Sequence, residues 1–112
     1  MKIIMYHYVR DSDSNYPNFN AIDTESFKNQ LNYFQKNGGI GNAKELIDIV
    51  EGKIKANEKF YLTFDDGFKD HHYCVAKHLK KINKTGFFFP STLPLVSKKI
   101  LDVHKVHLLL GK

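Results

Sequence analysis

Two stretches of this chain carry side chains whose types and spacing could do chemistry. The first is Tyr61-Leu-Thr-Phe-Asp-Asp-Gly67, an apolar run that ends in two adjacent carboxylates and a glycine. Adjacent residues leaving a strand point in different directions, so Asp65 and Asp66 can hold different jobs. Gly67 lets the backbone turn sharply and lets a ligand approach closely. The same triplet also reads as an ordinary turn, because Asp and Gly are common turn formers. The second stretch is Asp102-Val-His104-Lys-Val-His107. Residues three apart on a helix occupy neighbouring parts of one face, so both imidazoles can reach one ligand. Zn²⁺ accepts imidazole nitrogen and carboxylate oxygen together. A single pair of this spacing is equally read as two half-buried histidines.

The elements that must position these residues follow from the apolar pattern. Lys2 to Val9 is rich in β-branched and aromatic residues and predicts a buried strand. Asp23 or Thr24 caps a helix whose Phe27, Leu31 and Phe34 share one face, and Gly38-Gly39 ends it. Asn42 with Glu45 predicts a capping box opening a second helix, with Leu46, Ile49 and Val50 facing the core. Phe60 to Phe64 predicts a buried strand, and Asp70 to Asn83 a helix with Val75, Leu79 and Ile82 on one face. Gly86 to Phe89 predicts another strand, stopped by Pro90, and Ser97 the cap of a last helix running toward Leu110. Strands separated by helices predict parallel pairing and the α/β class, in one domain spanning residues 1–112. Active residues in such folds sit at the carboxyl ends of the strands, where Asp65 and Asp66 fall.

Composition narrows the function classes. A chain of 112 residues with 42% hydrophobic and 13% aromatic content can pack a core, so disorder is not expected. The net charge of +5 would suit an anionic partner, but the lysines are dispersed and Arg10 is the sole arginine. Without a basic run interleaved with aromatics, no nucleic-acid partner is expected. No apolar run approaches the ~20 residues of a membrane span, and the start is too polar for a signal peptide, so the expected location is cytoplasmic with no membrane partner. The single cysteine, Cys74, allows no internal disulfide and reads as a small buried hydrophobe. His71, His72 and His78 read as exposed helix residues.

Thr63-Phe-Asp-Asp-Gly-Phe68 resembles the first motif of the polysaccharide deacetylases, carbohydrate esterase family four. Met5-Tyr-His-Tyr-Val9 looks like the strand that opens these domains, and Gly86-Phe-Phe-Phe-Pro90 like a following strand. The resemblance implies a distorted (β/α) barrel that hydrolyses N-acetyl groups on a sugar or polysaccharide. It implies Asp65 as general base and Asp66 as a metal ligand, with His104 and His107 completing a site for a divalent ion, most often zinc. His7, at the end of the first strand, is the candidate substrate contact; a strand-end histidine bonded to backbone is the alternative.

Two departures follow. The family spaces its metal-binding histidines four apart, whereas His104 and His107 are three apart. The chain stops just past this second motif, so a partial barrel of about four strands is expected. That leaves no residue assignable to the late general acid. An open sheet edge is expected to be covered by self-association or by a partner chain. The alternative function is a catalytically incomplete remnant that binds metal or glycan, or that needs a separate chain to complete its site.

Overall fold

The computed structural model describes residues 1–112. Its elements are β1 (Lys2–Tyr6), α1 (Thr24–Lys36), α2 (Ala43–Val50), β2 (Phe60–Asp65), a π-helical segment (His71–Ala76), α3 (Lys77–Lys81), β3 (Phe87–Phe89), α4 (Thr92–Ser97) and α5 (Asp102–Gly111). The three strands form one sheet in the order β1-β2-β3, and both pairings are parallel. Parallel neighbours need crossover connections, which α1 with α2, and the π-helical segment with α3, provide. The class is therefore mixed α/β with a parallel sheet. The sheet holds three strands where about four were expected, because the chain past Pro90 turns into helices.

β2 is the central strand. Phe60, Tyr61, Leu62 and Phe64 are all buried, since helices and loops cover both of its faces. β1 departs from its expected burial. Ile3 and Met5 are 53% and 61% exposed, while Tyr6 is buried, so only one face of this edge strand meets the core. Regular pairing in β1 stops at Tyr6; beyond it, buried Val9 keeps a single parallel bridge to Ile22.

The core is the apolar face of α1 pressed on the sheet. Phe27, Leu31 and Phe34 are buried with Tyr6, Phe60, Phe64, Val75 and Leu79. Tyr6 stacks on Phe64 with ring centroids 5.3 Å apart, and Phe34 stacks on Phe60 at 4.5 Å. Aromatic pairs of this kind add about 1 kcal/mol each beyond area burial. The α1 cap forms as its sequence predicts, with Asp23 accepting a 2.7 Å hydrogen bond from the Ser26 N–H.

Other local expectations are corrected. Asn42 makes no side-chain cap bond; instead the Ala43 N–H donates to Thr85 Oγ1 at 2.9 Å. Glu45 accepts from Lys59 Nζ at 2.8 Å and from Asn57 Nδ2 at 3.0 Å. In α2 Leu46 is buried, Ile49 half-buried and Val50 74% exposed, because the helix ends there. Ile82, in the turn after α3, is also exposed. Ser97 ends α4 rather than capping a long last helix. Its hydroxyl donates back to the Leu93 carbonyl at 2.8 Å, and Lys98 turns left-handed at φ 54°. Cys74 is half-buried, its Sγ 3.6 Å from Thr24 Oγ1. No helix is long and apolar enough to cross a membrane.

Candidate functional site

β2 delivers Asp65 and Asp66 to the carboxyl end of the sheet. Asp65 is half-buried, in register with Phe89 of β3. The next residue leaves the strand abruptly. The Asp66 N–H still donates to the Phe89 carbonyl at 3.0 Å, but its φ is +72° and that of Gly67 is +68°. Two successive left-handed residues fold the chain back over β3. Gly67 is required twice over, since a Cβ there would lie 2.7 Å from Pro90 Cβ as well as in a disfavoured φ. Asp enters this region more readily than most residues, though less freely than glycine. Residual strain of this kind, up to about 1–2 kcal/mol, persists where surrounding contacts hold it, often at functional sites.

Those contacts come from His7, just past the end of β1, and from α5. His104 Nε2 lies 3.2 Å from Asp66 Oδ2, and His7 Nε2 lies 3.9 Å from the same oxygen. His104 is 8% exposed and its ring packs on Phe68 at 4.9 Å. The far end of α5 is fastened to the loop before α1. The Gly111 carbonyl accepts from the Asn18 N–H at 2.9 Å, and a side chain at Gly111 would meet Phe19 at 3.0 Å. α5 therefore lies across the carboxyl ends of β1 and β2, with His104 turned inward.

His107, one turn on, is exposed, and its Nδ1 is 3.0 Å from Tyr8 Oη. Its ring centroid is 6.4 Å from that of His104. The structure thus gathers His7, Asp66 and His104 around one carboxylate oxygen and leaves His107 beside them on Tyr8. The donor types match a zinc site, and the Tyr8 contact leaves His107 Nε2 outside that bond. Even so, no three His, Cys, Asp or Glu side chains stand close enough to hold a metal ion. Asp66 and His104 are within hydrogen-bond reach of each other, and His107 stands apart from them on Tyr8.

Several site residues carry no motif. Tyr8 stacks on Phe68 at 4.3 Å and meets Phe19 edge-on at 4.6 Å. Arg10 lies over the Tyr8 ring at 5.1 Å and donates from Nε to Asp70 Oδ2 at 2.7 Å. Burial pushes the Tyr8 phenol above its ordinary pKa; Arg10 opposes this and the carboxylates of Asp66 and Asp70 add to it. One signal was legible: Tyr8 and Arg10 alternate along the chain with the buried apolar Val9 between them.

His71 overturns its expected exposure. It is 4% exposed, and its Nε2 lies 2.7 Å from the His7 carbonyl, so Nε2 carries the hydrogen. Its Nδ1 is buried without a partner. His72 is exposed as expected, whereas His78 is half-buried with Nδ1 2.7 Å from the Cys74 carbonyl. Beside the cluster opens a cavity of about 580 Å³ whose lining includes His7, Tyr8, Asn18, Asn20 and His107.

Solved structures share this architecture. A de-N-acetylase from Aggregatibacter actinomycetemcomitans superposes with a TM-score of 0.69 at 22% identity, over 89% of this chain and 41% of that one. The Streptococcus pyogenes deacetylase PplD, in complex with acetate, gives 0.69 at 20% identity, over 99% of this chain and 53% of that one. At such identities the likeness is one of fold. The chain spans about half the length of these structures. No family model and no curated protein matches it.

Proposed function

We propose that this chain carries the general-base part of a hydrolase that removes N-acetyl groups from a sugar or polysaccharide. One observation carries the reading: the strained Asp65-Asp66-Gly67 turn at the carboxyl end of the sheet, with His104 and His7 drawn to Asp66. The shared fold with two deacetylases supports it.

In this reading Asp65 takes a proton from water as the water oxygen bonds to the amide carbonyl carbon. The carbonyl π pair moves onto oxygen, then returns as the C–N bond breaks and the proton reaches the departing nitrogen. Asp66 and His104 hold the turn that aims Asp65, and His7 contacts the sugar in the cavity wall. A divalent metal, zinc first, on Asp66, His104 and His107 is a separate part of the proposal, carried by donor types alone. Calorimetric titration with zinc tests it. Binding abolished by His104→Ala is expected, and no binding by the wild type would remove it.

The test of the whole reading is acetate release from N-acetylglucosamine oligomers by the wild type and Asp65→Asn. A loss of about 10²–10⁴-fold is expected, the usual weight of a general base. Equal rates in both would overturn the assignment.

A second reading has its own support. Leu93, Leu95 and Val96 on α4 and Leu109 and Leu110 on α5 are all at least 60% exposed. The site is then completed by another polypeptide, a second copy or a separate chain, covering α4 and α5. Light scattering after size exclusion decides between copy and monomer, and a stable monomer active alone would refute this version.

A further inference from the structure

Negative charge forms on the carbonyl oxygen as water adds, and a fixed hydrogen-bond donor stabilises it whether or not a metal is bound. Tyr8 is placed to do so. Tyr8 lines the cavity of about 580 Å³ together with His107, the partner of its hydroxyl, and His7, whose Nε2 lies 3.9 Å from Asp66 Oδ2. The phenol is not free to swing, because Phe68 stacks on one side, Phe19 meets it edge-on and Arg10 lies over the ring. The Tyr8 Oη to His107 Nδ1 distance of 3.0 Å permits either atom to donate. If Nδ1 carries the hydrogen, His107 donates to Tyr8 Oη, and the phenol hydrogen is released to point into the cavity. A fixed donor of this kind, held before the reaction begins, stabilises a developing oxyanion without reorganisation.

We propose that Tyr8 is a catalytic residue whose O–H donates a hydrogen bond to the carbonyl oxygen of an N-acyl group bound in this cavity, held in that direction by His107 Nδ1–H. The inference rests on the N-deacetylase reading. Tyr8 neither gains nor loses a proton. As the water oxygen bonds to the carbonyl carbon, the π pair moves onto the oxygen that Tyr8 faces. When the C–N bond breaks, that pair remakes the carbonyl of acetate.

Tyr8→Phe keeps the ring stack and removes the hydroxyl. Acetate release from N-acetylglucosamine oligomers is expected to fall about 10²-fold in kcat, with KM within about twofold and an unchanged melting temperature. A Tyr8→Phe kcat within about twofold of the wild type overturns the role and leaves the Asp65 assignment standing. Absence of any wild-type turnover sinks the deacetylase reading instead. Nitrogen-15 NMR of the His107 ring reads the arrangement independently of turnover. A protonated Nδ1 is expected, and a bare Nδ1 accepting from the phenol overturns the proposal.

Discussion

At the amino end of β2, Phe60 is buried between the stacked ring of Phe34 and the Lys2 ammonium 4.8 Å above its own ring. Its N–H donates to the Gly39 carbonyl, and its carbonyl accepts from the Gly41 N–H, both at 2.9 Å. Next to it, Lys59, Glu45 and Asn57 satisfy one another. At the carboxyl end of the same strand the pattern inverts. Asp66 sits in a disfavoured backbone region, and two histidines approach a single carboxylate oxygen. Nearby, the buried Nδ1 of His71 has no partner. One end spends its side chains on satisfied packing; the other holds strain and exposed polar reach. Segregation of this kind lets a small fold keep a reactive site without unfolding around it.

The largest effect that would separate the two ends is Phe60→Ala. Truncating a buried aromatic costs about 3–5 kcal/mol, so urea titration should show a large loss of stability. Acetate release per folded molecule should stay near wild type, since the ring is at the far end of the strand. Comparable losses of both would merge the two regions.

A smaller effect is expected from Gly67→Ala. The new Cβ meets Pro90 and adopts φ +68°, which together cost about 1–3 kcal/mol. Unlike Phe60→Ala, this change should move Asp65 and depress acetate release in the folded fraction. Full activity with lowered stability would show that the turn does not aim the carboxylates.

The smallest effect lies in the core just beneath the carboxyl end, at Tyr6, which pairs with Phe64. Burial pushes its phenol up to about 12 from an ordinary 10.0, and its hydroxyl donates to Gln30 Oε1. A raised folded-state pKa gives stability that is complete below pH ~10 and is lost as pH rises through ~12. Tyr6→Phe should therefore cost about 1 kcal/mol at neutral pH through the lost hydrogen bond, and should flatten the alkaline fall in stability between those limits. Urea titrations across pH 8 to 12 check it; an unchanged alkaline slope would place the titration on another group.

The stability-bearing end was the more legible in the sequence. Phe27, Leu31 and Phe34 recur at helical spacing behind the Asp23 cap, and Phe60 to Phe64 is a continuous apolar run, so local pattern alone predicted α1 and β2. The acidic turn was legible by residue type; the approach of His104 to Asp66 was expected only from the family resemblance, because 38 residues separate them. What pattern could not show depends on contacts distant in sequence. His71 is buried because it reaches the carbonyl of His7, 64 residues away, from a π-helical segment whose period the sequence does not announce. Tyr8 and Arg10 gain their place from Phe68, Asp70 and α5, none of them near in sequence. Val50 and Ser97 were misplaced for a simpler reason: local propensity is a weak guide that tertiary context overrides.

The central claim is that the carboxyl end of β2 is held for chemistry at a cost in stability. Asp66→Gly tests it most directly, because glycine relieves the left-handed strain while removing the carboxylate that His104 and His7 approach. Thermal melting and acetate release are measured on the same preparation. The account predicts a melting temperature equal to or above wild type with acetate release lost. A marked fall in melting temperature with activity retained would contradict it.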